Sequence, residues 1–165
     1  MKTKLLLVAA LSPALALAQA APTPAPEAPA ANAHSMVKAA DVKWGDGPAF
    51  LPKGVQAAVL YGDPSKAGPF ALRLKMPAGY KIPRHWHPTD EQVTVIDGQV
   101  SLSMGEAAGA HDATFGAGDY VNLPANMQHQ ATSASGAVVQ VNAVGPFAIT
   151  YVDEKDDPRT ATPAK

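Results

Sequence analysis

An all-β, antiparallel fold is what this sequence predicts, and three observations predict it. Pro (16) and Gly (13) are abundant among its 165 residues, which suits many short strands joined by turns. Runs alternating between apolar and polar residues recur from Val55 to Val152, the period-two signature of half-buried strands. No stretch of that region carries a sustained 3.6-residue apolar period. The composition, 47% hydrophobic and 16% charged, fits one globular domain.

The chain begins with Lys2 and Lys4, an apolar run from Leu5 to Leu17 interrupted by Pro13, and Ala18-Gln19-Ala20. This is the pattern of a secretory signal peptide over residues 1–20, so an exported, periplasmic or extracellular protein is expected. The apolar run is shorter than the ~20 residues a membrane span requires, so no stable membrane insertion is expected. No twin-arginine pair accompanies it, which points to general secretion. Residues 21–36 form an Ala/Pro-rich linker, whose repeated prolines favour extended chain. The folded domain is then 37–152, and 153–165 is expected to be a flexible tail. Cysteine is absent, which removes disulfides and thiolate chemistry. A net charge of −1 offers no electrostatic basis for binding nucleic acid.

Within the domain, Val55–Tyr61 alternates weakly and Phe70–Met76 clearly, with Phe70, Leu72, Leu74 and Met76 on one face. Glu91–Ile96 and Gln99–Met104 flank Asp97-Gly98, a strong signal for a tight hairpin. Tyr120–Leu123, Gln128–Ser133, Ala137–Val144 and Phe147–Val152 complete the strand set. Gly105–Asp112 is expected to be a small-residue loop in which His111 is solvated, as is His34 at the linker edge. Pattern alone does not choose between a closed barrel and a flat sandwich.

The chemistry concentrates in His85, His87, Glu91 and His129. His-x-His on a strand places both imidazoles on one face. Glu91 follows a short Pro-led turn. If it opens the next strand facing inward, Val93 and Val95 also face inward while Gln92 and Thr94 face out. His129 must then arrive from a distant strand. Three imidazoles and one carboxylate suit a divalent first-row metal ion and leave room for water or substrate.

The surrounding spacing is longer than this quartet. Gly79, His85, His87, Glu91 and Gly98 form one block, and Gly118, Pro124 and His129 a second. Together they resemble the two sequence motifs of the cupin superfamily. The second block departs at Asn126, where that family usually has glycine, and at Ser133, where it often has asparagine. A glycine at the first position suggests a backbone with φ > 0, which Asn tolerates next best. The resemblance implies a single antiparallel cupin β-barrel (a double-stranded β-helix, or jelly roll). It also implies one divalent transition metal ion held by His85, His87, Glu91 and His129. Ligand type leaves Mn, Fe, Co, Ni, Cu and Zn all open, and folding outside the cytoplasm favours Zn or Cu modestly.

Four residues are candidates for a substrate pocket. Gln140 and Asn142 lie two apart in VVQVNAV and share a face, which is either the pocket or the solvent side. Met104 should line the core, and Met127 could shape the pocket mouth. Trp86 should point away from the histidines, and Arg84 is either an anion-holding residue or a surface arginine.

The expected function is that of a metalloenzyme acting on a small organic substrate, of dioxygenase, isomerase or lyase type, with Glu91 also available as a catalytic base. The alternative is a non-catalytic exported module that binds or senses a metal or small ligand, since single-domain cupins resemble the sensory half of several regulators. The expected partner is a small molecule, and the resemblance leaves a homodimer through edge strands open.

Overall fold

The computed structural model describes residues 34–106 and 111–160. The expected signal peptide and linker residues 21–33 therefore lie outside the described residues. The described residues from Ser35 onward belong to one compact unit.

Ten strands make up this unit, all pairing antiparallel: β1 (Gly45–Asp46), β2 (Gln56–Tyr61), β3 (Gly68–Met76), β4 (Tyr80–Trp86), β5 (Glu91–Met104), β6 (His111–Gly116), β7 (Tyr120–Leu123), β8 (His129–Ser133), β9 (Ala137–Gly145) and β10 (Thr150–Tyr151). No α-helix occurs among the described residues. The strands form one curled sheet whose backbone is β5. Its first half pairs with β9 and β7, and its second half with β6 and β8. Beyond β9 lie β3, β2 and β1; beyond β8 lie β4 and β10. This is the jelly-roll barrel that the family resemblance implied.

The Asp97-Gly98 expectation is corrected by this arrangement. The dipeptide makes no hairpin: β5 runs unbroken through it for 14 residues, with a register shift against β9 between Val95 and Asp97. Gly98 adopts φ 73°. A left-handed glycine serves a tight turn and a bulge equally well, so sequence alone does not separate them. The irregularity has a packing consequence. Val93 and Val95 are buried before it, and Val100 and Leu102 after it, so the inward face changes parity along the strand. That switch keeps both halves of β5 on the core.

Other differences are local. His111 opens strand β6, which the Gly-Ala composition of the preceding segment obscured, although the side chain is exposed as expected. Phe147–Val152 contributes only the two residues of β10; the part before it is irregular. The tail is held as far as Thr160: the Arg159 guanidinium donates to the Ile149 carbonyl (3.2 Å) and to Asp157 (2.7 Å).

Two tyrosines tie down the segment that becomes one wall of the site. The Tyr80 hydroxyl donates to the Pro52 carbonyl (2.6 Å) and that of Tyr151 to the Phe50 carbonyl (2.8 Å). Both rings belong to the core. Each Tyr→Phe change should cost about 1 kcal/mol, since a bonded carbonyl loses its donor. The double variant should also lower the protection of residues 48–53 in hydrogen exchange. Unaltered exchange there would show that the hydroxyls do not hold the segment. Burial raises the pKa of both phenols, that of Tyr151 to about 12. The folded state thus keeps a proton that the unfolded chain releases near pH 10. Stability should be intact below pH 10 and fall as the pH rises toward 12. Denaturant midpoints across that range check the sign.

Candidate metal centre

The site sits where β4, β5 and β8 meet. Along β4, Ile82 and His85 are both buried although three residues apart. A register shift between them against β8 explains this. Pro83 lies inside the irregularity, one of the few strand positions that proline tolerates. The shift turns His85 inward, and His87 follows two residues later just beyond the strand end. Trp86, between them, pairs with Thr150 of β10. Glu91 opens β5 and is buried with Val93 and Val95, while Gln92 is exposed, as the alternation predicted.

His129 opens β8 opposite His85. The connection that delivers it is pinned to the His87–Glu91 turn. The Asn126 amide donates to the His87 carbonyl (2.8 Å), and the Ala125 amide to the Asp90 carboxylate (2.8 Å). Asn126 has φ 63° and is the one non-glycine with positive φ among the described residues. The substitution of Asn for Gly thus preserves the turn. Asp90 is a positioning residue that sequence reasoning did not find; its place beside Glu91 was the available signal.

The three imidazoles converge. Their ligand nitrogens lie within 4.8 Å of one another, and all three residues are buried. Each Nδ1 faces a backbone carbonyl: Pro83 for His85 (2.7 Å), Ala148 for His87 (2.7 Å) and Met127 for His129 (3.0 Å). A carbonyl only accepts, so each Nδ1 carries the hydrogen, and each neutral ring presents its Nε2 lone pair. Carbonyl contacts of this kind orient metal-ligating histidines. Phe147 adds a flat wall, stacked on His87 at 4.3 Å between ring centroids and 16° between planes.

The Glu91 carboxylate lies against two of the three rings. Glu91 Oε2 lies 3.2 Å from His129 Nε2 and 3.5 Å from His87 Nε2. Nitrogen lone pairs this close to an anionic oxygen repel it unless a positive charge lies between them. Ligands on one ion, with bonds of about 2.0–2.2 Å, sit about 3.0–3.5 Å apart at neighbouring corners. The donor set and its spacing fit a divalent transition metal ion, and the three histidines could hold one.

The sequence model of the ChrR cupin-like domain matches residues 32–148. The chain belongs to that cupin family. None of the curated proteins is detectably similar to it in sequence. Among solved structures, this cupin is similar to the polyketide cyclase RemF from Streptomyces resistomycificus (17% identity, 76% of this chain and 90% of that one, TM-score 0.61). It is similar to a putative acetylacetone dioxygenase from Methylibium petroleiphilum (22% identity, 77% and 86%, TM-score 0.60). It is also similar to the DMSP lyase DddQ from Ruegeria pomeroyi (19% identity, 74% and 73%, TM-score 0.55). At these identities the likeness is one of fold.

Electrostatics in this cupin favour cation capture. Burial lowers the ionisation of His85 to about 3, helped by the neighbouring His129 and His87, and burial also lowers that of His87. Both rings stay neutral near pH 7. Burial alone would raise Glu91, but its contact with His129 and the imidazoles around it win and bring it down to about 2. At neutral pH the cluster therefore presents the uncharged rings of His85 and His87 beside one carboxylate anion.

Above it lies a cavity of about 410 Å³, to which His85, His87 and Glu91 contribute one end. The pocket candidates fare unequally. Gln140 and Asn142 do not line this cavity. They alternate with buried Val139 and Val141 on β9, so they stand on the outer face, where Gln140 donates to Asn142 (3.2 Å) and accepts from Arg73 (3.2 Å). Period two could not say which face was inner; the neighbouring valines decide it. Met104 pairs with His129 across β5 and β8 and packs on the core, as does Met127, but neither lines the cavity. Arg84 is no anion holder: it donates to the Gly105 carbonyl and to Ser103 (3.0 Å). The walls come instead from segments without a polar signal, including Phe50, Leu51, Phe147 and Ile149.

Proposed function

We propose that this cupin is a metal-dependent enzyme acting on a small organic molecule, with one divalent transition metal ion held by His85, His87, His129 and Glu91. The observation that supports this best is three oriented imidazoles and an ionised carboxylate at the end of an apolar cavity of about 410 Å³. A storage or structural role needs no cavity opening onto the ligands. Cavities of this size suit small ligands. A bound ion there would act as Lewis acid toward a substrate oxygen and lower the pKa of bound water. Glu91 lines the same cavity and is the base nearest to a molecule seated in it. The fold neighbours named as a cyclase, a dioxygenase and a lyase agree with an enzyme on this scaffold, though fold alone does not choose a reaction. Export by residues 1–20 to the periplasm or beyond is part of the same proposal.

The test is turnover. Metal-replete protein should convert a member of a panel of diketones, thiols, sugars and aromatic acids. Activity should vanish in both Glu91→Gln and His129→Ala. Activity retained in His129→Ala would count against a metal mechanism. Chelation should also lower the melting temperature, because an ion bound only by the folded state stabilises it.

A further inference from the structure

We propose that the cavity selects a neutral molecule with a hydrocarbon body and one oxygen-bearing end, and rejects anions of the same shape. This rests on the site being a metal centre open to substrate.

The argument begins with what lines the cavity. Its sides are carbon: Phe50, Leu51, Leu72, Leu74, Val141 and Phe147. No lysine or arginine among the described residues lines it. Three cations on nearby segments have partners of their own. Arg84 serves Ser103 and the Gly105 carbonyl, Arg73 serves Gln140 on the outer face, and Lys66 pairs with Asp63 at 3.2 Å. The charged side chains that do line the cavity are carboxylates. Glu91 is at the buried end, and Asp46 and Asp63 are at the exposed end. Hydrogen bonds from Ser65 and Lys66 hold Asp63 down to about 2, so it is an anion at neutral pH.

An anionic ligand would pass Asp46 and the Asp63–Lys66 pair and then exchange its hydration for hydrocarbon along walls that hold no cation. Its one cationic partner would be an ion at the buried end, whose charge Glu91 already offsets in part. Burying a charge without a full counter-charge is costly, whereas burying a hydrocarbon body is favourable. Within the buried part the polar side chains are those of His85, His87 and Glu91. A ligand therefore gains by placing one oxygen there and carbon everywhere else.

The probes are 4-phenyl-2-butanone and 3-phenylpropanoate, which share a shape and differ in charge. Their binding to the metal-loaded full chain is measured by calorimetry and by ligand-observed NMR. The ketone should bind, and the carboxylate should bind at least about tenfold more weakly. Leu72→Arg, which plants a guanidinium in the wall, should reverse that order. Val59→Lys at the half-exposed rim should narrow it in a variant whose core is untouched. Equal or tighter binding of the carboxylate by the unaltered protein would overturn the proposal, as would a ketone that does not bind at millimolar concentration. The metal reading fails separately. If the chain carries no metal and the ketone still binds in preference, the selectivity stands and the metal centre falls. If metal is bound and lost in His129→Ala while the carboxylate wins, the reverse holds.

Discussion

His129→Ala is expected to lose its metal on dialysis and to lose turnover with it. His129 is the one member of the cluster that comes from outside the His85–Glu91 segment, so it closes the site from β8. Its Nε2 is the nitrogen nearest to Glu91, at 3.2 Å. Removing the ring deletes a donor and also takes the strongest partner from a buried carboxylate. Loss of groups that merely orient ligands costs about 10–100-fold in metal affinity; loss of a ligand itself should cost at least about 100-fold. Elemental analysis after dialysis against a weak chelator reads the effect. Occupancy equal to that of the unaltered protein would show that the ion, if any, is held elsewhere.

Gly98→Ala is expected to be the most damaging substitution in the fold itself. A Cβ there would lie 2.2 Å from the Gly136 carbonyl oxygen and 2.9 Å from the Ala137 Cα. Both are backbone atoms at the start of the neighbouring strand, which cannot move without parting β5 from β9. The residue also sits at φ 73°, where a side chain adds about 1–2 kcal/mol of strain. Overpacking of this kind adds about 1–3 kcal/mol. A total of about 2–5 kcal/mol is a large part of a typical domain's stability. Gly118→Ala is the control: φ is 92°, but nothing lies within 4 Å of its Cβ. It should show strain alone. Urea midpoints for the two variants compare them directly, and equal losses would mean that the contact with β9 is not what Gly98 protects.

Gly98 also shows where sequence was ambiguous. Asp-Gly between two alternating runs predicts a hairpin, and the structure uses the same left-handed glycine to continue a strand from one half of the barrel to the other. The local conformation was legible; its use was not, because that depends on which strands lie alongside. The gathering of His85, His87, Glu91 and His129 was legible for the opposite reason. His85, His87 and Glu91 are close in sequence, their facing follows from strand geometry, and the spacing around His129 is characteristic. Asn126 was legible too, as a turn residue standing in for glycine. The cavity was not. Gln140 and Asn142 attracted attention as polar residues in an apolar strand, yet their role is an outer-face contact with Arg73. The residues that build the walls are apolar side chains on strands and on irregular segments alike, and nothing in their composition distinguishes a cavity lining from a core. Ser133, a departure from the family pattern, is buried and its hydroxyl donates to the Gln99 carbonyl (3.0 Å), so it still ties β8 to β5.

The most direct measurement is anomalous diffraction from crystals of the full chain grown with a divalent transition metal, collected on both sides of the metal's absorption edge. One peak is predicted, within bonding distance of the Nε2 atoms of His85, His87 and His129 and of a Glu91 oxygen. A peak elsewhere with the cluster vacant, or a His129 ring turned away from the other two, would contradict the account.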